Sequence, residues 1–272
     1  MNIIGFDIAQ LTQLLIDTAN EELIPRYQQT EISTKADGTL VTAADLAIQQ
    51  RIGAALAKLY PDIPLLGEEM SAEEQQRVMH ESNTGFWCLD PLDGTSNFVA
   101  GMPCFAISLA YVQQGETRLG IIYDPIRQEC FHAQIGQGAW LNERRLKLDQ
   151  SVSELSDTVA MVDLKRLPAT LGCNLATHPP YRSQRSIGSV ALDWCWLAAG
   201  RLQLYLHGGQ RLWDFAAGRL ILAEAGGVFS LADDIDRSAP YTQNLQPKVA
   251  MAAVNRTLFE LWSDWIEQYN KI

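Results

Sequence analysis

The chain has 272 residues, 47% of them hydrophobic, and a formal net charge of −11 at pH 7. This length and apolar content can bury a substantial core in one large domain or two closely packed subdomains. The acidic charge argues against nucleic acid or anionic membrane as a partner, because their phosphates attract cationic surfaces. No apolar run reaches 18 residues, residues 1–7 carry no basic region before an apolar stretch, and the five cysteines form no CxxC pair. We therefore expect a cytoplasmic protein.

Two amphipathic helices are predicted in the N-terminal part of the chain. Apolar residues recur with helical spacing over residues 6–27 and again over residues 43–59, and each pattern ends near a proline. The polar segment 33–39 between them is centred on Asp-Gly. We interpret this segment as a mobile loop or the tip of a hairpin.

Short strands are predicted next. Runs rich in aromatic and aliphatic residues at 105–112, 119–123 and 129–133 predict an antiparallel sheet. The Gly-Gln-Gly sequence at 136–138 is interpreted as a turn, because it lacks the lysine and the third glycine of nucleotide-binding loops.

A polar stretch at 147–157 predicts a subdomain boundary. It divides the chain into an N-terminal α+β part, residues 1–150, and a C-terminal α/β part, residues 151–272. In the second part helix and strand patterns alternate, which predicts a sheet flanked by helices.

Acidic residues stand where apolar segments end. Asp90 and Asp93 close an apolar strand, Glu68 follows another apolar run, Asp214 opens an apolar helix and Asp45 borders a helix. Each acid alone is typical of a helix cap or a solvated turn. An unpaired buried carboxylate is unfavourable, however, so several such positions favour a shared metal site. Ligands that are all oxygen atoms favour Mg²⁺, Mn²⁺ or Ca²⁺ over zinc.

Three segments resemble the signatures of the inositol monophosphatase family. They are GEE from Gly67, DPLDGTSNF from Asp90 and WDFAAG from Trp213. The segments VTAAD and EAGG also fit, so the resemblance extends from about residue 33 to about residue 230. It implies an α+β fold, the layered αβαβα sandwich of the inositol monophosphatase/fructose-1,6-bisphosphatase type. It also implies a homodimeric, Mg²⁺-dependent and lithium-sensitive phosphatase.

The resemblance implies two or three Mg²⁺ ions per active site. The implied ligands are the side chains of Glu68, Asp90, Asp93 and Asp214 and the backbone carbonyl of Leu92. Asp90 bridges two ions in this assignment, and a third, weaker ion is expected near Glu68.

Catalytic roles are also implied for Thr95 and Asp45. The Thr95 hydroxyl is expected to orient a metal-activated water, with Asp45 accepting its proton, and the water attacks the phosphate directly. The amides of Gly94, Thr95 and Ser96 lie at a predicted helix start and are expected to bind phosphate oxygens. The alternative roles are an N-cap hydroxyl for Thr95 and a cap or first-turn acid for Asp45.

On the substrate side, the resemblance implies that Asp93 and the segment Gly188, Ser189 and Val190 line the leaving group, and that Lys35 lies in a flap over the metals. His207 stands seven residues before Asp214, where the family has an acid that binds substrate hydroxyls. A carboxylate accepts hydrogen bonds from two hydroxyls, whereas a neutral imidazole offers one acceptor and one donor. His207 is therefore a candidate substrate residue, with a structural histidine as the alternative.

Several functions stay open at this point. The expected substrate is a small phosphate monoester, with inositol 1-phosphate first, histidinol phosphate or 3′-phosphoadenosine 5′-phosphate second, and fructose 1,6-bisphosphate third. The alternative of another class is a regulatory protein that retains the fold and binds a partner, as some relatives bind transcription machinery. Retention of the complete set of predicted ligands argues against this alternative.

Overall fold

The computed structural model describes residues 5–28, 32–34, 40–82, 85–235, 241 and 243–270. Lys35, which is predicted to lie in a flap, and the rest of segment 35–39 lie outside the described residues. The α-helices are α1 (Ile8–Thr18), α2 (Ala43–Leu59), α3 (Ala72–Glu81), α4 (Thr95–Ala100), α5 (Ala169–Thr177), α6 (Val190–Ala198), α7 (Leu212–Ala225) and α8 (Arg256–Asn270). The strands are β1 (Ile32–Thr34), β2 (Leu40–Thr42), β3 (Leu65–Gly67), β4 (Phe86–Asp93), β5 (Ala106–Gln113), β6 (Glu116–Asp124), β7 (Glu129–Gln134), β8 (Ala139–Leu141), β9 (Arg144–Arg145), β10 (Val159–Asp163), β11 (Ser183–Arg185), β12 (Leu204–Gln210), β13 (Val228–Ala232) and β14 (Lys248–Ala253).

The larger sheet contains strands β3 to β9 in sequence order. Strand β3 runs parallel to β4, and the strands from β4 onward pair antiparallel. This confirms the antiparallel sheet predicted from the short apolar runs. The prediction of a turn at 136–138 is also confirmed, because these residues connect β7 to β8.

Side chains alternate between the two faces of this sheet, as the pleat of a strand requires. On β4, Trp87 and Leu89 pack in the core that contains α1 and α2. Phe86 and Cys88 point to the opposite face and pack in the core that contains α6 and α7. The sheet is therefore covered on both faces, and β4 is buried along its whole length.

The smaller sheet has the strand order β11-β10-β12-β14-β13. Strand β10 is parallel to β11 and β12, whereas β14 is antiparallel to β12 and β13. One face packs against α6 and α7, and the other packs against α8, which in turn contacts α5. The layers are therefore α1 and α2, the larger sheet, α6 and α7, the smaller sheet, and α5 and α8. This order confirms the layered α+β sandwich.

Helix α7 is attached to the larger sheet by hydrogen bonds as well as by apolar packing. The Ser108 hydroxyl donates to the Trp213 carbonyl at 3.2 Å, and the Thr117 hydroxyl donates to the Ala216 carbonyl at 2.9 Å. Ser108 lies opposite Asp90 in the pairing of β4 with β5. These contacts hold the start of α7 beside the end of β4.

The segment 147–157, where a subdomain boundary is predicted, lies between the last strand of the larger sheet and the first strand of the smaller one. The division into residues 1–150 and 151–272 stays a prediction. Among the described residues, none of the helices combines the length and the apolar character needed to span a bilayer.

Candidate metal centre and active site

Three carboxylates meet where β4 ends and α7 begins. Oxygen atoms of Asp90, Asp93 and Asp214 all lie within 4.8 Å of one another. Residues three apart in a regular strand point to opposite faces, but the pairing of β4 with β5 shifts register between Asp90 and Asp93. This irregularity explains how the two side chains reach one site, and the contact of α7 with the sheet supplies Asp214.

The electrostatics of this carboxylate cluster favour a cation. Burial, together with the charges of neighbouring acids, raises the pKa of Asp90 and the pKa of Asp214 well above the usual range. Burial raises the pKa of Asp93 to about 6, although hydrogen bonds from α6 oppose this shift. Carboxylates that repel one another in a buried site fit a hard divalent cation, which neutralises their charge. The donor set therefore fits Mg²⁺.

Glu68 lies beside the cluster without belonging to it. Its charge raises the pKa values of Asp90, Asp93 and Asp214. Among the described residues, however, its carboxylate is not part of the group whose oxygens lie within 4.8 Å of one another. The Gln75 side chain, which the sequence analysis did not single out, donates to the Glu68 carbonyl at 3.2 Å and supports this loop.

The Asp93 carboxylate is held by the first turn of α6. It accepts hydrogen bonds from the Ser189 hydroxyl, from the Val190 amide at 3.2 Å and from the Ala191 amide at 2.8 Å. Unpaired amides and the helix dipole at a helix N-terminus favour a negative charge there. The segment predicted to line the leaving group thus positions a predicted metal ligand, and its contact with substrate stays a prediction.

Asp45 lies at the start of α2 and faces Thr95. Its Oδ2 accepts hydrogen bonds from the amide and hydroxyl of Thr42, at 2.7 and 2.6 Å, in a capping box at the start of α2. Its Oδ1 faces the Thr95 hydroxyl at 3.5 Å. Burial is the main cause that raises the pKa of Asp45. Asp45 is therefore a first-turn acid of α2 and a neighbour of Thr95.

Thr95 does not serve as an N-cap. The N-cap of α4 is Gly94, which has a φ of 95°, a conformation that glycine adopts readily, and Thr95 is the first helical residue. The Thr95 hydroxyl donates to the Leu92 carbonyl at 3.0 Å, a shorter contact than the one to Asp45. A hydroxyl has one proton, so the two acceptors compete for it. The predicted phosphate contacts of Gly94, Thr95 and Ser96 stay predictions.

His207 lies in β12, opposite Asp163 of β10, and is 4% exposed. Its Nε2 is 3.2 Å from Asp163 Oδ2, and its Nδ1 accepts a hydrogen bond from the Gly209 amide at 3.2 Å. Burial lowers the pKa of the His207 ring. Both ring nitrogens thus have partners within the protein, so the role of His207 in reading the substrate stays a prediction.

Two further features escaped the sequence analysis. The Asn97 side chain donates to the Cys104 carbonyl at 2.7 Å and to the Ile187 carbonyl at 2.6 Å. It thereby ties α4 to the segment before α6, and its place inside the DGTSNF motif was the available signal. Asp163 lies in no motif, and its contact with His207 follows only from the pairing of β10 with β12.

The Gly-Gln-Gly turn binds an internal carboxylate. The amides of Gly136 and Gly138 donate to the two carboxylate oxygens of Glu224, each at 2.7 Å. These amides therefore attach the hairpin of β7 and β8 to α7.

Comparison with known proteins identifies relatives of this chain. The model of the inositol monophosphatase family matches residues 7–262. The chain is 36% identical over 241 residues to the Nus factor SuhB of Haemophilus influenzae, covering 87% of this chain and 86% of that protein. It is also 36% identical over 211 residues to an inositol-1-monophosphatase of Mesorhizobium japonicum, covering 76% of this chain and 77% of that one.

A solved structure shares the whole fold. The Thermotoga maritima IMPase superposes with a TM-score of 0.81 at 25% sequence identity, covering 97% of this chain and 98% of that one. The family model spans most of the sequence, and the carboxylate cluster forms from the motifs on which the resemblance rested. The chain therefore belongs to the inositol monophosphatase family.

Proposed function

We propose that this protein is a Mg²⁺-dependent phosphomonoesterase of small phosphorylated polyols, with inositol 1-phosphate as the reference substrate. The observation that carries the proposal is the cluster of the buried Asp90 and Asp93 with the half-buried Asp214, whose carboxylate oxygens lie within 4.8 Å of one another. The relative named inositol-1-monophosphatase supports the choice of reference substrate.

The residues that would hold Mg²⁺ are the three clustered aspartates, with Glu68 and the Leu92 carbonyl completing the set. Mg²⁺ bound there would supply positive charge to phosphoryl oxygens and the leaving oxygen and would lower the pKa of a bound water. The chain itself contributes the Thr95 hydroxyl, which lies between the Leu92 carbonyl and Asp45 and can orient the attacking water. The Asp45 carboxylate, whose pKa is raised by burial, can take up the proton.

The experiment is a rate comparison in Mg²⁺ on inositol 1-phosphate, histidinol phosphate, 3′-phosphoadenosine 5′-phosphate and fructose 1,6-bisphosphate. We expect Mg²⁺-dependent release of phosphate, which EDTA abolishes. A folded protein that hydrolyses none of these esters at any Mg²⁺ concentration would contradict the proposal. The His207→Glu variant tests the leaving-group side, because a carboxylate there should favour inositol 1-phosphate relative to the other esters.

A second candidate function is the binding of a protein partner. The relative named Nus factor SuhB favours it, since that name describes a factor rather than an enzyme. The same assay separates the two candidates, because turnover that disappears in the variant Asp214→Asn supports the phosphatase. Homodimerisation and a cytoplasmic location also stay predictions, which sedimentation and cell fractionation can test.

A further inference from the structure

Three charged or polar residues lie near the ends of the paired strands β10 and β12, just before α7, the helix that carries Asp214. Asp163 ends β10, and its Oδ2 is 3.2 Å from His207 Nε2 and 3.3 Å from Arg166 Nε. We call Asp163, Arg166 and His207 the Asp163 cluster. The family resemblance leads one to expect an acid at position 207, whereas this cluster contains a cation, Arg166.

The backbone holds this cluster in place. Asp163 and His207 are paired residues of the parallel strands β10 and β12. The Asp163 Oδ1 accepts a hydrogen bond from the Lys165 amide at 3.1 Å, which orders the turn that carries Arg166. That turn lies directly against β12, because a Cβ atom added to Gly208 would be 1.9 Å from the Arg166 carbonyl oxygen. The position of Arg166 relative to His207 is therefore set by close backbone contact.

Arg166 is the exposed cation of the cluster. The Asp163 carboxylate is shared between His207 and Arg166, and His207 engages both of its ring nitrogens inside the protein. The Arg166 side chain, in contrast, is 53% exposed. Its positive charge opposes the rise in the pKa of Asp214 that burial and the neighbouring acids cause. A guanidinium bound through Nε still has the N–H groups of both Nη atoms with which to bind a ligand.

We infer that Arg166 binds an anionic substituent, a phosphate or a carboxylate, on the leaving group of the substrate. Asp163 and His207 are positioning residues that hold Arg166 and its turn. The inference rests on the proposed phosphatase function and narrows its substrate class. A hydroxyl of a neutral polyol gains less from a guanidinium than an anion does, because hydrogen bonds between charged partners are roughly twice as strong as neutral ones.

The test compares esters that differ in the charge of the leaving group. The esters are inositol 1-phosphate, whose leaving group is neutral, fructose 1,6-bisphosphate, whose leaving group carries a second phosphate, and 3-phosphoglycerate, whose leaving group carries a carboxylate. For Arg166→Gln we expect kcat/KM to fall about 10- to 100-fold on one or both anionic leaving groups and to change less than about threefold on inositol 1-phosphate. The anionic ester whose kcat/KM falls identifies the substituent that Arg166 binds. Arg182→Gln is the matched control, because Arg182 is an exposed arginine paired with Asp157.

Asp163→Asn tests the positioning role. We expect KM for the responding anionic ester to rise more than KM for inositol 1-phosphate, and Asp163→Glu should restore part of the lost affinity. An equal loss on all three esters in either the Arg166 or the Asp163 variant would overturn the inference, since a merely structural role acts on every substrate alike. An Arg166→Gln enzyme that treats all three esters as the wild type does would overturn it as well. A wild-type protein idle on every ester overturns the proposed function itself and the inference with it.

Discussion

The Asp93 carboxylate accepts a 2.8 Å hydrogen bond from the Ala191 amide, which joins the end of β4 to the first turn of α6. The two residues are 98 positions apart in the chain. Asp93 is therefore oriented by the protein itself, and the helix dipole of α6 stabilises its charge. A predicted metal ligand is thus held in place through its own hydrogen bonds.

Asp93→Asn should nearly abolish turnover with little loss of fold. The amide oxygen can keep one hydrogen bond from α6, but the site loses a charge with which to collect cations. Loss of groups that only support metal ligands lowers metal affinity or activity about 10- to 100-fold. For loss of a ligand itself we expect at least about a 100-fold fall in kcat. The measurement is phosphate release at saturating Mg²⁺, with thermal unfolding as the check on folding. Asp149→Asn, at a surface turn, is the control, and full activity of the Asp93 variant would remove Asp93 from the active site.

Thr95→Ala should lower kcat far more than it weakens Mg²⁺ binding. The hydroxyl lies 3.0 Å from the Leu92 carbonyl and 3.5 Å from Asp45 Oδ1, so it is placed to act on a proton. Groups that orient or transfer protons typically raise the reaction rate by about 10²- to 10⁴-fold. Rates and Mg²⁺ isotherms from one preparation check this expectation. Thr95→Ser keeps the hydroxyl and should retain most of the activity, and a serine variant as slow as the alanine variant would argue against this role.

Gly208→Ala should destabilise the protein, whereas Gly209→Ala should not. A Cβ at position 208 meets the Arg166 carbonyl oxygen at 1.9 Å, but at position 209 its nearest contact is an ordinary one, to Pro247 at 3.7 Å. Overpacking against backbone costs about 1–3 kcal/mol. Urea unfolding of both variants gives the two free energies. Equal free energies of unfolding would show that β12 can shift away from the turn at Arg166.

His207 should make the stability of the protein depend on pH. Burial lowers the pKa of this ring below its ordinary value of 6.5, so the unfolded chain binds the proton more readily than the folded one. The contribution of neutral His207 is complete above pH 6.5 and is lost as the pH falls through the folded pKa. Asp163, Arg166, the Gly209 amide and the Tyr205 ring lie near the His207 ring.

The measurement is urea unfolding in EDTA between pH 5.5 and 7.5. The wild type should lose stability toward the acid end by more than His207→Gln does, because glutamine does not titrate. The pKa of Asp163 is lowered from its ordinary value of 3.8, so this carboxyl titrates below the pH range of the measurement. Parallel curves for the two proteins would contradict the assignment.

Much of the secondary structure could be predicted because its signals are local. The apolar stripe of α2 predicted residues 43–59, and the helix spans Ala43–Leu59. Helix α3 escaped prediction, since most of its residues are polar and exposed and only Gln75 and Val78 are buried. A helix that buries so little surface has no apolar stripe by which to recognise it.

The sequence by itself determined the family, the layered fold and the acidic residues that close its apolar segments. Motifs and periodicity are properties of neighbouring residues, so they can be read along the chain. The tertiary structure alone decided that α6 holds Asp93 and that Asp163 joins His207 to Arg166, and it gave the geometry in which Asp214 meets Asp90 and Asp93. These contacts join distant segments, and they depend on strand register and on how α6 and α7 pack between the two sheets.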